Sequence, residues 1–165
     1  MRGAEGVPSL RSPQAFRVVC GSIASSPAAG FRVIHFSVQR NHIHVIAEAD
    51  RADARSRGIR SLTIRLAVRL NRLFRRSGAI WGDRCHVRAL STPTEVRNAI
   101  ANVLMNFRKH GEHLALPADE RDRDPFSSAA CLDEPRDTSA RAGEAVERRL
   151  TSRPHTWLAR TGWST

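Results

Sequence analysis

The chain has 165 residues, which is enough for one domain with a hydrophobic core. It carries 27 Lys and Arg residues against 16 Asp and Glu residues, so its formal net charge is +11. Such a charge favours a polyanionic partner, most simply nucleic acid, because the planar guanidinium group pairs well with phosphate. Lys109 is the only lysine. A coding bias toward arginine explains that ratio, but it does not explain the net charge.

Cysteine usage and hydropathy exclude two further classes of protein. The three cysteines are scattered and form no CxxC pair, which argues against a disulfide framework and predicts a reducing compartment. We see no signal peptide and no apolar run near the ~18 residues that a membrane-spanning helix needs. We therefore expect a cytoplasmic protein without a membrane partner.

The first half of the chain predicts a hairpin followed by a long helix. Residues 1–30 read as irregular chain with a weak helix, 31–38 as a strand and 42–49 as its antiparallel partner. Residues 53–76 have apolar side chains at helical spacing. That predicted buried stripe consists of Ile59, Leu62, Leu66, Leu70 and Leu73.

The second half predicts one more strand and one more helix. CHVRAL, at residues 85–90, is a strand candidate. Residues 93–110 predict a helix that starts with a capping box of Thr92 and Glu95. Its apolar face is Val96, Ile100, Val103 and Phe107. Residues 112–165 read as a poorly ordered charged tail with a short C-terminal element around Trp157.

This order of elements predicts an α+β protein with a ferredoxin-like antiparallel sheet and helices packed on one face. We divide the chain into an N-terminal segment at 1–30, a core at 31–111 and the tail at 112–165.

His42 and His44 form the sharpest local motif. Residues two apart on a strand point to the same face, so both imidazoles can reach one divalent cation. Histidine pairs on strands are more often plain surface residues. A polar stripe on the 93–110 helix, with Asn98, Asn102 and Asn106 at steps of four, favours the metal reading. Asparagine is a poor residue for a helix interior, although an ordinary solvated face is the alternative.

Residues 38–111 resemble the repeat-associated tyrosine transposases, a branch of the HUH single-strand nucleases. The similarity rests on four motifs in order, which are NHIH, an Arg-rich helix, DRCHVR and EVRN with a closing RKHG. Weaker similarity extends to GVPSLRS before this region and to DPFSSAA and HTWLARTGW after it.

The resemblance implies binding and cleavage of single-stranded DNA next to hairpins. In that family a tyrosine attacks the phosphate and forms a 5′-phosphotyrosine link, while two histidines and a polar residue hold Mg²⁺ or Mn²⁺. By resemblance, the metal ligands here are His42, His44 and Asn106. The tyrosine position is Asn102, and the chain contains no tyrosine. We therefore expect the covalent step to be lost.

A second departure lies at the N-terminus, where relatives carry a strand before GVPSLRS. We expect the sheet to lack this first strand, which would expose a sheet edge.

Basic residues along the two helices and the candidate strand are the predicted DNA contacts, with helix-dipole stabilisation and a solvated edge as alternatives. They are Arg65, Arg69, Arg72, Arg75, Arg76, Arg84, His86, Arg88, Arg108 and Lys109.

Three functions follow as hypotheses. The chain binds single-stranded or hairpin DNA and a divalent metal without cleavage; or it is an active transposase with another nucleophile, for which Cys85 is a weak candidate; or it is a non-enzymatic nucleic-acid-binding regulator that needs no metal. A monomer and a homodimer both stay open.

Overall fold

The computed structural model describes residues 1–25, 29–109, 124–131 and 151–162. Its elements in chain order are α1 (Pro13–Ala24), β1 (Phe31–Val38), β2 (Ile43–Ala49), α2 (Ala52–Leu73), α3 (Pro93–Lys109), a short 3-10 helix (Ser128–Cys131) and α4 (Trp157–Arg160). The predicted α+β class is confirmed. No helix in these ranges is both long and apolar enough to cross a bilayer.

β1 and β2 form the predicted antiparallel hairpin. Their register pairs Phe31 with Ala49 at one end and Val38 with Ile43 at the turn end. The ladder shifts between Val33 and His35. Such a bulge adds one residue to one strand, so core-facing side chains occupy odd positions before it and even positions after it. Both Phe31 and Phe36 can therefore face the same core.

α1 and α2 cover one face of the hairpin. Ser12 caps α1 by accepting a hydrogen bond from the Ala15 N–H, and Pro13 stands at the first helical position. α2 approaches β1 so closely at Gly58 that a Cβ there would lie 2.1 Å from the Phe31 ring. The predicted α2 stripe is confirmed, since these helices and the hairpin share one cluster that includes Val19, Phe31, Phe36, Val38, Leu62, Leu66 and Leu70.

α3 packs on the opposite face. Its predicted apolar side chains, Val96, Ile100, Val103 and Phe107, are all buried. They are absent from the cluster shared by α1 and α2, while α3 contacts β1, β2 and α4. The expectation that the helices lie on one face was therefore wrong. A hairpin with apolar side chains on both faces needs a helix on each to keep them from water.

The N-terminal residues run along the outer edge of β2. The Met1 amino group donates to the Ile43 carbonyl at 2.9 Å, and the Ile43 N–H donates to the Met1 carbonyl at 2.8 Å. On their other side the same residues pair with the chain at Trp81, through the Gly3–Trp81 bridge and the Ala4 N–H to the Ile80 carbonyl. Residues 1–4 thus fill part of the edge that we expected to be bare.

The predicted strand at residues 85–90 is not formed. The pairing with the N-terminal residues ends at Gly82, and the next residues find no backbone ladder among the described parts of the chain. His86, Val87 and Arg88 are all exposed. A strand requires a paired neighbour, and without one the alternating pattern buries nothing.

Residues 124–131 pack along the outer edge of β1. Most of the predicted tail at 112–165 lies outside the described residues. The Val38 N–H donates to the Phe126 carbonyl at 2.8 Å. Asp124 is fully buried and receives two hydrogen bonds from the Arg11 guanidinium, at 2.7 and 3.2 Å. Arg11 also lies over the Phe126 ring at 4.7 Å. A buried charge of this kind is tolerated only with such partners.

Replacing Asp124 with alanine should destabilise the fold by about 3–5 kcal/mol, because it removes the carboxylate that accepts two hydrogen bonds from the buried Arg11 guanidinium. Urea unfolding followed by circular dichroism measures this change. The matched control is Asp53→Ala, which removes an exposed carboxylate paired with Arg51 and Arg57 and should change the free energy of unfolding far less, because exposed ion pairs are screened by solvent. Equal losses in the two variants would contradict a structural role for the buried pair.

Candidate metal and nucleic-acid site

The two histidines lie side by side where the hairpin begins its second strand. His44 pairs with Ser37 across the ladder, and His42 forms an isolated bridge with Arg2 just before β2. Their ring centroids are 4.6 Å apart and the rings are perpendicular. Ile43, between them, is buried in the opposite core. The prediction that both imidazoles share a face is confirmed by this geometry.

His42 has a local partner that orients its ring. Its Nδ1 lies 2.8 Å from the Asn41 Oδ1. When Nδ1–H donates to this oxygen, the lone pair of the ring is on Nε2. Metal-binding histidines commonly have such an oxygen on their second nitrogen, because it fixes both tautomer and orientation. Asn41 was given no role of its own from the sequence, although its place directly before the histidines in the NHIH motif was the available signal.

α3 packs on the face of the hairpin opposite the α1–α2 core, and its first turn is capped as predicted. The predicted capping box is confirmed, since the Glu95 N–H donates to Thr92 Oγ1 at 3.2 Å and the Thr92 N–H donates to Glu95 Oε2 at 3.3 Å. Hydrogen bonds from the Ser91 N–H and the Arg88 guanidinium lower the pKa of Glu95. The start of the helix is therefore fixed at Pro93.

Asn106 is the buried member of the polar stripe on α3. Its side chain is 8% exposed, and its Nδ2 is enclosed with no hydrogen-bond partner among the described residues. An unpaired buried amide costs about 1–3 kcal/mol. A half turn about the last side-chain torsion would present the amide oxygen in its place. Asn106 therefore has a buried polar group without a hydrogen-bond partner in the described chain. It lies on the helix that packs on the face of the hairpin carrying His42 and His44, which we call the histidine face.

Asn102 lies one turn before Asn106 and is exposed. The position of the expected nucleophile is thus accessible from solvent, but it carries an amide. Cys85, the other candidate, lies in the irregular segment, and its Sγ is 3.9 Å from the His86 carbonyl oxygen.

The basic stripe of α2 faces α1 rather than the histidines. The Arg65 guanidinium donates to the Ser22 carbonyl at 3.2 Å, and Arg69 donates to Ser22 Oγ at 3.3 Å and Ser25 Oγ at 3.1 Å. These bonds join the two helices. Arg65 and Arg69, with the exposed Arg72 next to them, lie on the face of the sheet away from α3, so the structure does not bring them to the histidine pair.

The remaining predicted contacts are dispersed. Arg75 has a positive φ of 50° just after the helix end, and its neighbour Arg76 has a buried Nη1 without a partner in the described chain. Arg84 and His86 are exposed. Arg88 is exposed and pairs with Glu95 at 2.6 Å.

On α3, which packs against β1 and β2, Arg108 is the predicted contact whose side chain the structure describes. The Arg108 guanidinium is exposed and lies 5.9 Å from the Phe107 ring centroid. The Lys109 side chain lies outside the described residues.

The C-terminal segment reaches this same side of the hairpin. The Glu48 carboxylate accepts hydrogen bonds from the His155 N–H at 2.7 Å and from the Thr156 N–H at 3.0 Å. Thr156 in turn caps α4 by accepting from the Ala159 N–H. Glu48 is two pleats along β2 from His44, and α4 contacts α3. Residues 151–162 therefore border the histidine face. From the sequence, only a short C-terminal element around Trp157 was expected in this part of the chain.

Comparison of the chain with protein-family models, with curated proteins and with solved structures gave no match. The site is therefore described by its own geometry.

Lowering the pH should release the C-terminal segment. Burial would raise the pKa of Glu48, but hydrogen bonds from His155 and Thr156 and the charge of Arg32 outweigh it and lower that pKa. A lowered carboxyl pKa gives stability that is full above the ordinary value near 4.5 and is lost as the pH falls through the folded-state value. The His155 and Thr156 amides should therefore lose protection from hydrogen exchange, measured relative to their intrinsic rates, as the pH falls below that ordinary value. Glu48→Gln should show that loss already at pH 7, whereas unchanged protection would contradict the anchor.

Proposed function

We propose that this protein binds single-stranded or hairpin DNA together with a divalent cation, and that it does not form a covalent link to the strand. The observation that carries the proposal is the perpendicular pair of His42 and His44, 4.6 Å apart, on the sheet face covered by a helix with a buried and unsatisfied Asn106. The net charge of +11 supports a polyanionic partner.

The donor set fits a divalent cation. His42 and His44 offer imidazole nitrogens and Asn106 offers an amide oxygen, and the Asn41 contact orients the first ring. Imidazole ligands suit transition metals better than Mg²⁺, while carbonyl oxygen suits Mn²⁺ and Mg²⁺. Mn²⁺ is therefore the better fit of the two. A cation bound there would polarise a phosphate and stabilise negative charge developing on its oxygens.

The absence of covalent chemistry rests on Asn102. A side-chain amide is a poor nucleophile, and covalent catalysis needs a group that can be ionised or activated. A transposase that uses another nucleophile is the alternative. Cys85 is the candidate for it, but it lies in a segment without regular secondary structure, so no helix or strand positions its thiol near the histidine pair.

We also propose that the fold is a reduced ferredoxin-like sheet. In that topology the first strand lies between the third and the fourth. Residues 1–4 lie between β2 and the chain at 80–82, which is the corresponding place. On this reading the first strand is shortened rather than missing.

A second candidate is a nucleic-acid-binding regulator that needs no metal. It is favoured because the described residues contain no cluster of three or more His, Cys, Asp or Glu side chains able to hold an ion. The measurement that separates the two is direct metal binding.

Titration calorimetry with Mn²⁺ should show one site per chain in the wild type. His42→Ala or His44→Ala should weaken it by more than the roughly 10–100-fold typical of losing a supporting residue, and Asn41→Ala should fall within that range. The control is Asn98→Ala on the exposed face of α3, which should leave the affinity unchanged. Equal affinity in all four variants would favour the metal-free regulator.

Asn102→Tyr should restore a covalent protein–DNA adduct if only the nucleophile has been lost. The tyrosyl oxygen would bond to phosphorus while the bond to the 3′ oxygen breaks, so that a 3′-hydroxyl leaves. Denaturing gels with labelled hairpin DNA and Mn²⁺ detect this product.

The matched control is Asn98→Tyr, one turn earlier on the same helix, which should give no adduct. Adduct formation by the wild-type chain would overturn the inactive reading.

A further inference from the structure

Trp157 is exposed to an unusual degree. Its side chain is 62% exposed, more than any other large apolar residue in the described chain. An indole ring contributes a large apolar area when buried, so leaving it in water forgoes a substantial stabilisation. The ring also lies on a helix of only four residues, α4. The fold therefore gains little from this side chain, and a ligand is the natural source of the missing contact.

The ring is fixed in place rather than loose. A Cβ on Gly162 would lie 2.6 Å from the six-membered ring, so the Gly162 backbone rests directly against it. Thr156, the neighbouring residue, is bonded to Glu48 on β2 through both its N–H and its hydroxyl. One side of the indole is therefore backed by the chain, and its remaining surface faces solvent. A ring held this way loses little entropy when it binds.

The surroundings of the ring are cationic. Arg153, His155 and Arg160 are exposed, and residues 151–162 contain no acidic side chain. Two carboxylates lie near this segment. Glu48 is buried and accepts hydrogen bonds from it, and Asp50, which lies near His155, is paired with Arg32. An aromatic surface flanked by arginines matches a nucleobase between phosphates, since bases stack on aromatic rings and phosphates pair with guanidinium groups.

We propose that Trp157 is a stacking platform for an unpaired base of single-stranded DNA, with Arg153 and Arg160 beside the adjacent phosphates. This inference rests on the proposed function and specifies which part of the DNA is bound there, namely an unpaired flank rather than a duplex stem. α4 contacts α3, which carries Asn102 and Asn106, so the platform borders the histidine face.

A protein partner fits this surface less well. A specific protein interface buries more than about 1,000 Å² and centres on a cluster of apolar anchors. Here one indole stands among exposed arginines. The other exposed large apolar side chains in the described chain are Ile64 and Val68 on α2, Val87 in the segment after Gly82, and Met105 on α3. Met105 is the one of these on an element that contacts α4, and a single methionine adds little area to the indole. The local charge therefore favours a base.

Fluorescence anisotropy with a labelled 12-nucleotide oligothymidylate, in EDTA, tests the platform separately from the metal. Stacking does not require the cation, so Trp157→Leu should weaken binding about 5- to 150-fold, and Trp157→Phe should weaken it less. Ile64→Ala is the control, because it alters an exposed apolar residue away from the ring and should bind like the wild type. Circular dichroism checks that each variant is folded.

Two further arms identify the ligand chemistry. An oligonucleotide with abasic sites should bind the wild type and Trp157→Leu equally, since there is no base to stack. Arg153→Gln and Arg160→Gln should each reduce the slope of log affinity against log salt by about 0.7.

The outcomes are distinguishable. A wild type that binds no single-stranded DNA overturns the proposed function and the platform with it. The platform alone is overturned if the wild type binds single-stranded DNA and Trp157→Leu binds it equally well. It is also overturned if Trp157→Leu weakens binding to blunt duplex DNA as much as binding to single-stranded DNA. The same holds if Trp157→Leu changes only the oligomeric state measured by sedimentation.

Discussion

A hairpin of two strands leaves one edge of each strand unpaired and both faces open, and such a hairpin is at best marginally stable in water. The structure answers this with segments distant in sequence. α1 and α2 cover one face, α3 covers the other, residues 1–4 pair with the start of β2, and residues 126–128 pair with the end of β1. The two edge segments use backbone groups that the hairpin cannot satisfy by itself, and the helices bury its apolar side chains.

The candidate site depends on these attachments more than on the strand. His42 precedes β2 and is placed by its bridge to Arg2, while the neighbouring Ile43 exchanges two hydrogen bonds with Met1. Removing the N-terminal residues would free the end of the hairpin where the histidines lie. The buried Arg11–Asp124 pair fixes the opposite edge at the same level, because Arg11 also donates to the Val38 carbonyl at 2.8 Å. Both edges are therefore clamped at the turn that carries the site.

Sequence patterns that span a few residues predicted the features that depend only on neighbouring residues. The α3 start was foreseen because Thr92 and Glu95 satisfy each other three residues apart, and the hairpin was foreseen because β-branched and aromatic residues flank a short turn. The prediction of a strand at 85–90 was wrong because a strand forms only beside a strand that pairs with it, and composition does not show whether such a partner is present. The bulge after Val33 left a signal that went unused: Phe31 and Val33 are odd positions, and Phe36 and Val38 are even.

The helix stripe on α2 shows a different limit of sequence reasoning. Periodicity correctly placed Arg65 and Arg69 beside the buried stripe, but it could not show that α1 would occupy that side. Only the packed structure reveals that both guanidinium groups join the helices through Ser22. The Asn106 position was inferred from a resemblance, and its burial with an unsatisfied amide nitrogen is information that no pattern of letters contains.

The positions of the arginines determine the electrostatic potential at each face of the sheet more than the net charge does. Arg65, Arg69 and Arg72 lie on the α1–α2 face, whereas Arg108, Arg153 and Arg160 lie on or beside the elements of the α3 face. Two helix layers packed on a sheet are separated by about 20 Å, given roughly 10 Å for each packing distance. Screening in physiological salt acts over about 8 Å, so a strand on one face is affected little by arginines on the other. Under the proposed function, DNA on the histidine face would therefore be attracted mainly by the arginines of that face, and the α2 arginines would contribute to its capture only at low ionic strength.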